Sequence, residues 1–184
     1  MNKTQITVLL TQKHNAFMEE IKHLSDNDFI VAPSGKWSAG QQLDHIVRSA
    51  GPVNLAFSLP GFFLTLAFGK ANRPSRTYDG VVEKYQAKLA LGGKAPSQFI
   101  PKRVSVNQRN QLIKKLERIV QSLTRRAEKY TEAQLDNLLL PHPLLGKLTF
   151  REMLYFTAYH VEHHHKQVIA NLKETTKSQR VHPL

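Results

Sequence analysis

The residues of this chain whose types and spacing could do chemistry lie near its C-terminus, in Tyr159-His160-Val161-Glu162-His163-His164-His165. Of the nine histidines, four fall at 160, 163, 164 and 165. His160 and His164 are four positions apart in a stretch that reads as a long helix, and positions i and i+4 share a helical face one turn apart. Two imidazoles so placed can reach one ion, and neutral imidazole is the commonest protein ligand of transition metals such as zinc, nickel, copper and iron. His160 with His163 satisfies the same geometry, whereas His160 and His165 diverge by about 140° around the helix. Two histidines on one helix rarely complete a site, so a third ligand has to come from another element. His45, beside Asp44 and about two turns into an earlier helix, is the candidate. An open three-histidine site leaves room for a water, which a metal acidifies toward hydroxide near neutral pH. The competing readings are a satisfied core histidine at 45 and, for the C-terminal group, a surface cluster complementing a helix C-terminus.

Helices must carry these residues. Ile6, Leu9, Leu10, Phe17 and Ile21 give helical spacing over Thr4 to Leu24, and Ser25 to Lys36 reads as a connection. Ser38 and Gln41 form the capping box of a second helix that carries Leu43, His45, Ile46 and Val47. Ala50 to Gly69 holds no charged residue and approaches the length of a membrane span. Pro52 and Pro60, with Gly51 and Gly61, divide that stretch, which therefore reads as a core helix end and an apolar connection. Residues 70–104 form an excursion, with a short helix over Tyr78 to Ala90 stopped by Gly92-Gly93 and extended backbone forced at Ala95-Pro96 and Ile100-Pro101. Ser105 and Gln108 cap a long helix with Leu112, Ile113, Leu116, Ile119, Val120 and Leu123 on one face. A short segment from Thr131 stops at Pro141-His142-Pro143. Thr149 and Glu152 cap the last helix, whose stripe of Phe150, Met153, Leu154, Thr157, Val161, Val168, Ile169 and Leu172 is interrupted by His160 and His164. No segment shows a strand pattern. The reading is all-α: four long helices in a bundle with an elaborated crossover between helices 2 and 3, one domain over 1–174 and a polar tail, fraying, over 175–184.

The 184 residues suffice for one substantial core, and the absence of Cys excludes disulfides, thiolate ligands and cysteine nucleophiles. A cytoplasmic setting fits, and the polar N-terminus has no secretory signal. Lys+Arg of 26 against Asp+Glu of 14 give a net charge of +12, which suits nucleic acid, anionic small molecules or an anionic surface, or describes a solvated basic exterior. Other candidates are weaker. Gly92-Gly93-Lys94 lacks the surroundings of a phosphate loop, Trp37 reads as a hydrophobic staple, and Glu152 as a cap ahead of a general base. Glu162 remains a candidate base, and Lys114-Lys115 and Arg125-Arg126 read as solvated helix surface.

Lys36-Trp37-Ser38-Ala39-Gly40-Gln41-Gln42-Leu43-Asp44-His45 resembles the entry to the second helix of the DinB-like superfamily. Pro141 to Glu152, followed by His160-Val161-Glu162-His163-His164, is similar to its final loop and helix, and Ala95-Pro96 to Pro101-Lys102 to a crossover found in the group. The resemblance implies an up-down-down-up-type four-helix bundle with a metal, nickel or zinc, held by His45, His160 and His164. Its members include bacillithiol- and mycothiol-dependent S-transferases, a maleylpyruvate isomerase and metal-dependent hydrolases. Two functions follow as expectations. One is a thiol S-transferase or hydrolase acting on a small-molecule substrate, with a low-molecular-weight thiol as co-substrate. The other is a non-catalytic basic module that binds nucleic acid or another anionic partner, its metal purely structural. A homodimer is expected in either case, and no membrane span.

Overall fold

The computed structural model describes the backbone of residues 1–181 and the side chains of 1–176. It is mostly helical, as the periodicity predicts. Asn2 opens α1 (Lys3–His23) with a capping box to Gln5, and Ser25 caps the short α2 (Asp26–Ile30). The Ser38–Gln41 box is present at the head of α3 (Ala39–Ala56): Ser38 N donates to Gln41 Oε1 at 3.0 Å and Gln41 N to Ser38 Oγ at 3.2 Å. Pro52 falls inside α3 rather than ending it, and the chain turns at Pro60 into α4 (Gly61–Phe68) at 106° to α3. No single helix among the described residues is long and apolar enough to cross a membrane.

After α5 (Tyr78–Ala90) the two glycines stop the helix as their positions predict. Gly92 adopts φ +82°, its N–H donates to Leu89 and that of Gly93 to Lys88, which satisfies two otherwise orphaned carbonyls. A single 3-10 turn, Ser97–Phe99, sits between Pro96 and Pro101, and a second, Val106–Gln108, leads into α6 (Arg109–Glu128). Then comes α7 (Glu132–Asn137), capped by Thr131. Of the four longest helices, α1 packs on α6 and on the last helix, α8 (Phe150–Val181), and α3 packs on α6 and α8. Phe17, Ile21, Leu43, Leu116, Leu123 and Leu154 are fully buried between them.

Two corrections to the sequence reading concern the C-terminal third. The chain has strands: β1 (Leu139–His142) and β2 (Gly146–Thr149) pair antiparallel, from Leu139 opposite Thr149 to His142 opposite Gly146. Four-residue strands are too short to show a period of two, and the turn depends on Gly146 at φ +73°, a left-handed conformation that closes three-residue hairpins. The segment expected to fray from Thr175 is instead helical at its start, because α8 continues to Val181, with Thr175 and Thr176 Oγ1 bonded back to Asn171 and Leu172. No Gly or Pro interrupts the sequence until Pro183. The remainder of the tail, 182–184, lies outside the described residues.

Candidate metal centre

His45 on α3 and His160 and His164 on α8 come together although 115 residues separate the first two. His160 Nε2 lies 3.2 Å from His45 Nε2 and 3.1 Å from His164 Nε2, and all three residues are buried. One nitrogen from each lies within 4.8 Å of the others, a set that could hold a metal ion. His163, the alternative partner of His160, turns instead to Gln167, whose Nε2 donates to His163 Nε2 at 2.9 Å.

The other ring nitrogens fix the protons. His45 Nδ1 donates to the Phe99 carbonyl at 2.7 Å, and His164 Nδ1 donates to Gln42 Oε1. Gln42 Nε2 in turn donates to Gln167 Oε1 at 3.1 Å, so a consistent chain of donors and acceptors runs from His164 through two amides to His163. With Nδ1 protonated, the Nε2 atoms of neutral His45 and His164 are bare lone pairs. Both face His160 Nε2, which carries at most one proton. Nor does an added proton relieve the contact: burial pushes all three imidazoles down, His160 and His164 well below 6.5, and the neighbouring histidines push those two further. Lone pairs converging in a buried site are unfavourable unless a cation lies between them. A metal with nitrogen ligands at about 2.0–2.1 Å in tetrahedral geometry sets those nitrogens roughly 3.3 Å apart, close to the spacing seen. The residues fit a metal.

Around the triad lies a cavity of about 930 Å³, at the upper end of small-molecule pockets. Leu59, Leu64, Phe68, Leu89 and Leu140 give it an apolar wall, while His45, His160, His163 and His164 give the polar end. The Trp37 ring centroid is 5.0 Å from that of His45, and the indole stacks on His164 at 6.1 Å, so Trp37 walls the site rather than stapling a helix. Tyr85, its phenol pushed up to about 12 by burial, stands edge-on to His160 and His163 at 6.0 and 5.7 Å.

Sequence reasoning missed three residues. Gln42 and Gln167 lie one helical turn before His45 and after His164, positions where second-row partners of ligands occur, and that spacing was the available signal. His142 is the third. The hairpin turn brings the N–H groups of Leu144 and Leu145 to His142 Nδ1, at 3.2 and 3.1 Å, so its ring proton sits on Nε2. Burial and Lys84 push His142 down to about 4, and this neutral imidazole lines the same cavity. The two glutamates do not. Glu152 is enclosed by Arg73, Arg76 and Thr149, and Glu162 pairs with Lys13 at 2.9 Å and Lys166 at 2.7 Å.

A further histidine sets an acid limit. His14 on α1 is fully buried, and burial pushes it down from 6.5 to about 4. The unfolded chain takes up that proton near 6.5, so stability is intact above this pH and is lost as pH falls toward 4. The size is about 3 kcal/mol, from 1.36 kcal/mol per unit. In urea unfolding of metal-free protein at pH 7 and pH 4, the wild type is expected to lose about that much more than His14→Gln. Equal losses would refute the assignment.

The model of one family, the DinB superfamily, matches residues 9–168, a span that contains all three converging histidines. No curated protein matches the chain at a significant level.

Proposed function

Because the chain belongs to the DinB superfamily, we propose that it is a metal-dependent enzyme, a bacillithiol-type thiol S-transferase or a hydrolase, with nickel or zinc held by His45, His160 and His164. The observation that supports this reading is the convergence of imidazole lone pairs, at 3.1 and 3.2 Å, on one buried point beside a large cavity. Such an ion would acidify a bound thiol or water into a nucleophile at neutral pH, and a thiol would have to come from outside a chain that has no Cys.

The chain's own residues supply the rest. His45 and His164 hold their protons at Nδ1, against Phe99 and Gln42, and so keep Nε2 free for coordination. His142 holds its proton at Nε2 and offers a neutral donor to a substrate oxygen in the cavity. His163, with Nε2 occupied by Gln167, holds its proton at Nδ1. The apolar wall excludes water and favours a substrate with an apolar body. The purely structural reading predicts a closed site, and a cavity of about 930 Å³ opening on the histidines speaks for an open one. The same reading carries the four-helix bundle with its up-down-down-up order, a single domain over 1–174, a cytoplasmic setting, and a homodimer formed through the exposed Leu55, Phe62, Phe63 and Leu66.

Cobalt-loaded protein tests the chemistry. Adding bacillithiol or a simple alkyl thiol is expected to produce a sulfur-to-cobalt charge-transfer band and to accelerate thiol transfer to an apolar electrophile. Ester or amide hydrolysis without that band would select the hydrolase. Neither, in a protein shown to hold the ion, would leave the enzyme reading without support.

A further inference from the structure

Two of the three converging imidazoles are held from behind, His45 by the Phe99 carbonyl and His164 by Gln42. His160 uses Nε2 for both of its histidine contacts, and no group among the described residues bonds its Nδ1. On the α1 side of His160 stands His14. It is fully buried, and its Nδ1 donates to the Leu10 carbonyl at 2.8 Å. The Nε2 of His14 is therefore an acceptor, and it has no hydrogen-bond partner among the described residues. A buried acceptor left bare forgoes its hydration with nothing in return, so its presence in the middle of a packed helix calls for a partner.

Between His14 and His160 the structure leaves a void of about 10 Å³, with Ser49 and Thr157 as its other polar walls. That is about the room one water requires, and such a water needs two to four polar partners. Ser49 Oγ donates to the carbonyls of His45 and Ile46, and Thr157 Oγ1 to that of Met153, which leaves both oxygens free to accept. We infer that one internal water occupies this void and makes His14 a positioning residue for His160. The water donates one proton to His14 Nε2 and the other to Ser49 or Thr157, and accepts from His160 Nδ1–H. The bridge selects the tautomer of His160 that leaves Nε2 unprotonated. It gives the third imidazole the support that Phe99 and Gln42 give the other two. An apolar residue at 14 would fill α1 equally well but leave His160 free to turn and to exchange tautomers.

The effect on metal affinity rests on the proposed triad, whereas the bridge itself is testable without metal. In metal-free wild-type protein, long-range 15N–1H spectra of the histidine rings are expected to show His14 accepting at Nε2 and His160 sharing its proton between Nδ1, against the water, and Nε2, against His45 and His164, and zinc is expected to shift His160 wholly to the Nδ1–H form. In metal-free His14→Leu the Nδ1–H share of His160 should fall, and His14→Gln, which keeps an acceptor, should restore it. Zinc affinity, read by competition with a chromogenic chelator, should fall roughly 10–100-fold in His14→Leu and recover in His14→Gln. A metal-free wild-type His160 with no Nδ1–H form, or a His14→Leu protein with unchanged tautomer and affinity, would overturn the inference. Failure of every form to bind zinc, with the tautomers as described, would remove the metal proposal and leave the water bridge standing.

Discussion

A His160→Ala variant is expected to stay folded and to lose its metal, with affinity for zinc or nickel reduced at least 100-fold. His160 Nε2 is the point on which His45 and His164 converge, at 3.2 and 3.1 Å, so its removal leaves two nitrogens and no third ligand at the centre. Loss of an outer partner such as Gln42 costs roughly 10–100-fold in comparable sites, and loss of the ligand itself should exceed that. The apo protein should tolerate the change, because the deletion also relieves the lone-pair contact and sits at the wall of an existing cavity. Metal content of untagged protein by mass spectrometry, with melting of the apo form, reads both effects. About one ion per chain in the wild type and near zero in the variant is the expected pair. Equal content would place the ion elsewhere.

Glu152→Ala should give the largest loss of stability, about 3–5 kcal/mol, the range for breaking a buried charge pair. The carboxylate is fully buried, which alone would push its pKa up, yet hydrogen bonds hold it below the usual range. Arg73 reaches both oxygens, at 2.6 and 2.8 Å, Arg76 donates through its backbone N and its guanidinium, and Thr149 N completes the capping box at 3.0 Å. Alanine strands these donors and detaches residues 73–76 from the head of α8. Glu152→Gln keeps the cap and part of the network and should cost about 1–3 kcal/mol. Urea unfolding at pH 7 separates the variants, and a loss below about 1 kcal/mol for Glu152→Ala would show that the arginines find other partners.

What was legible in the sequence is local. Ser38 with Gln41, and Thr149 with Glu152, announce their helices because a capping box is complete within four residues. His160 and His164 are legible as a pair because one helix fixes their relation. His45 joins them only through the packing of α3 on α8, which spacing does not encode, and the choice of His164 over His163 depends on Gln42 accepting from one and Gln167 donating to the other. Pro52 inside α3 inverts the usual meaning of proline, since the helix runs on through this exposed position to Ala56, held at either end by the buried Ala50 and Phe57. The role of His142 was hidden in the hairpin, because its tautomer follows from two backbone N–H groups in a turn that no periodicity reveals.

The bond from His45 Nδ1 to the Phe99 carbonyl joins a long helix to a short turn in the cavity wall. His45 belongs to a packed helix, whereas Phe99 closes a three-residue turn whose neighbours Pro96 and Ile100 line the cavity. Whatever sharpens the orientation of His45 therefore sharpens that turn, and whatever lifts the turn loosens the imidazole. If an ion held by His45 and a guest against Phe99 both act on this bond, linkage requires that each change the other's affinity by the same factor. The wall of the chamber is thus tied, through one hydrogen bond, to an imidazole of the proposed centre.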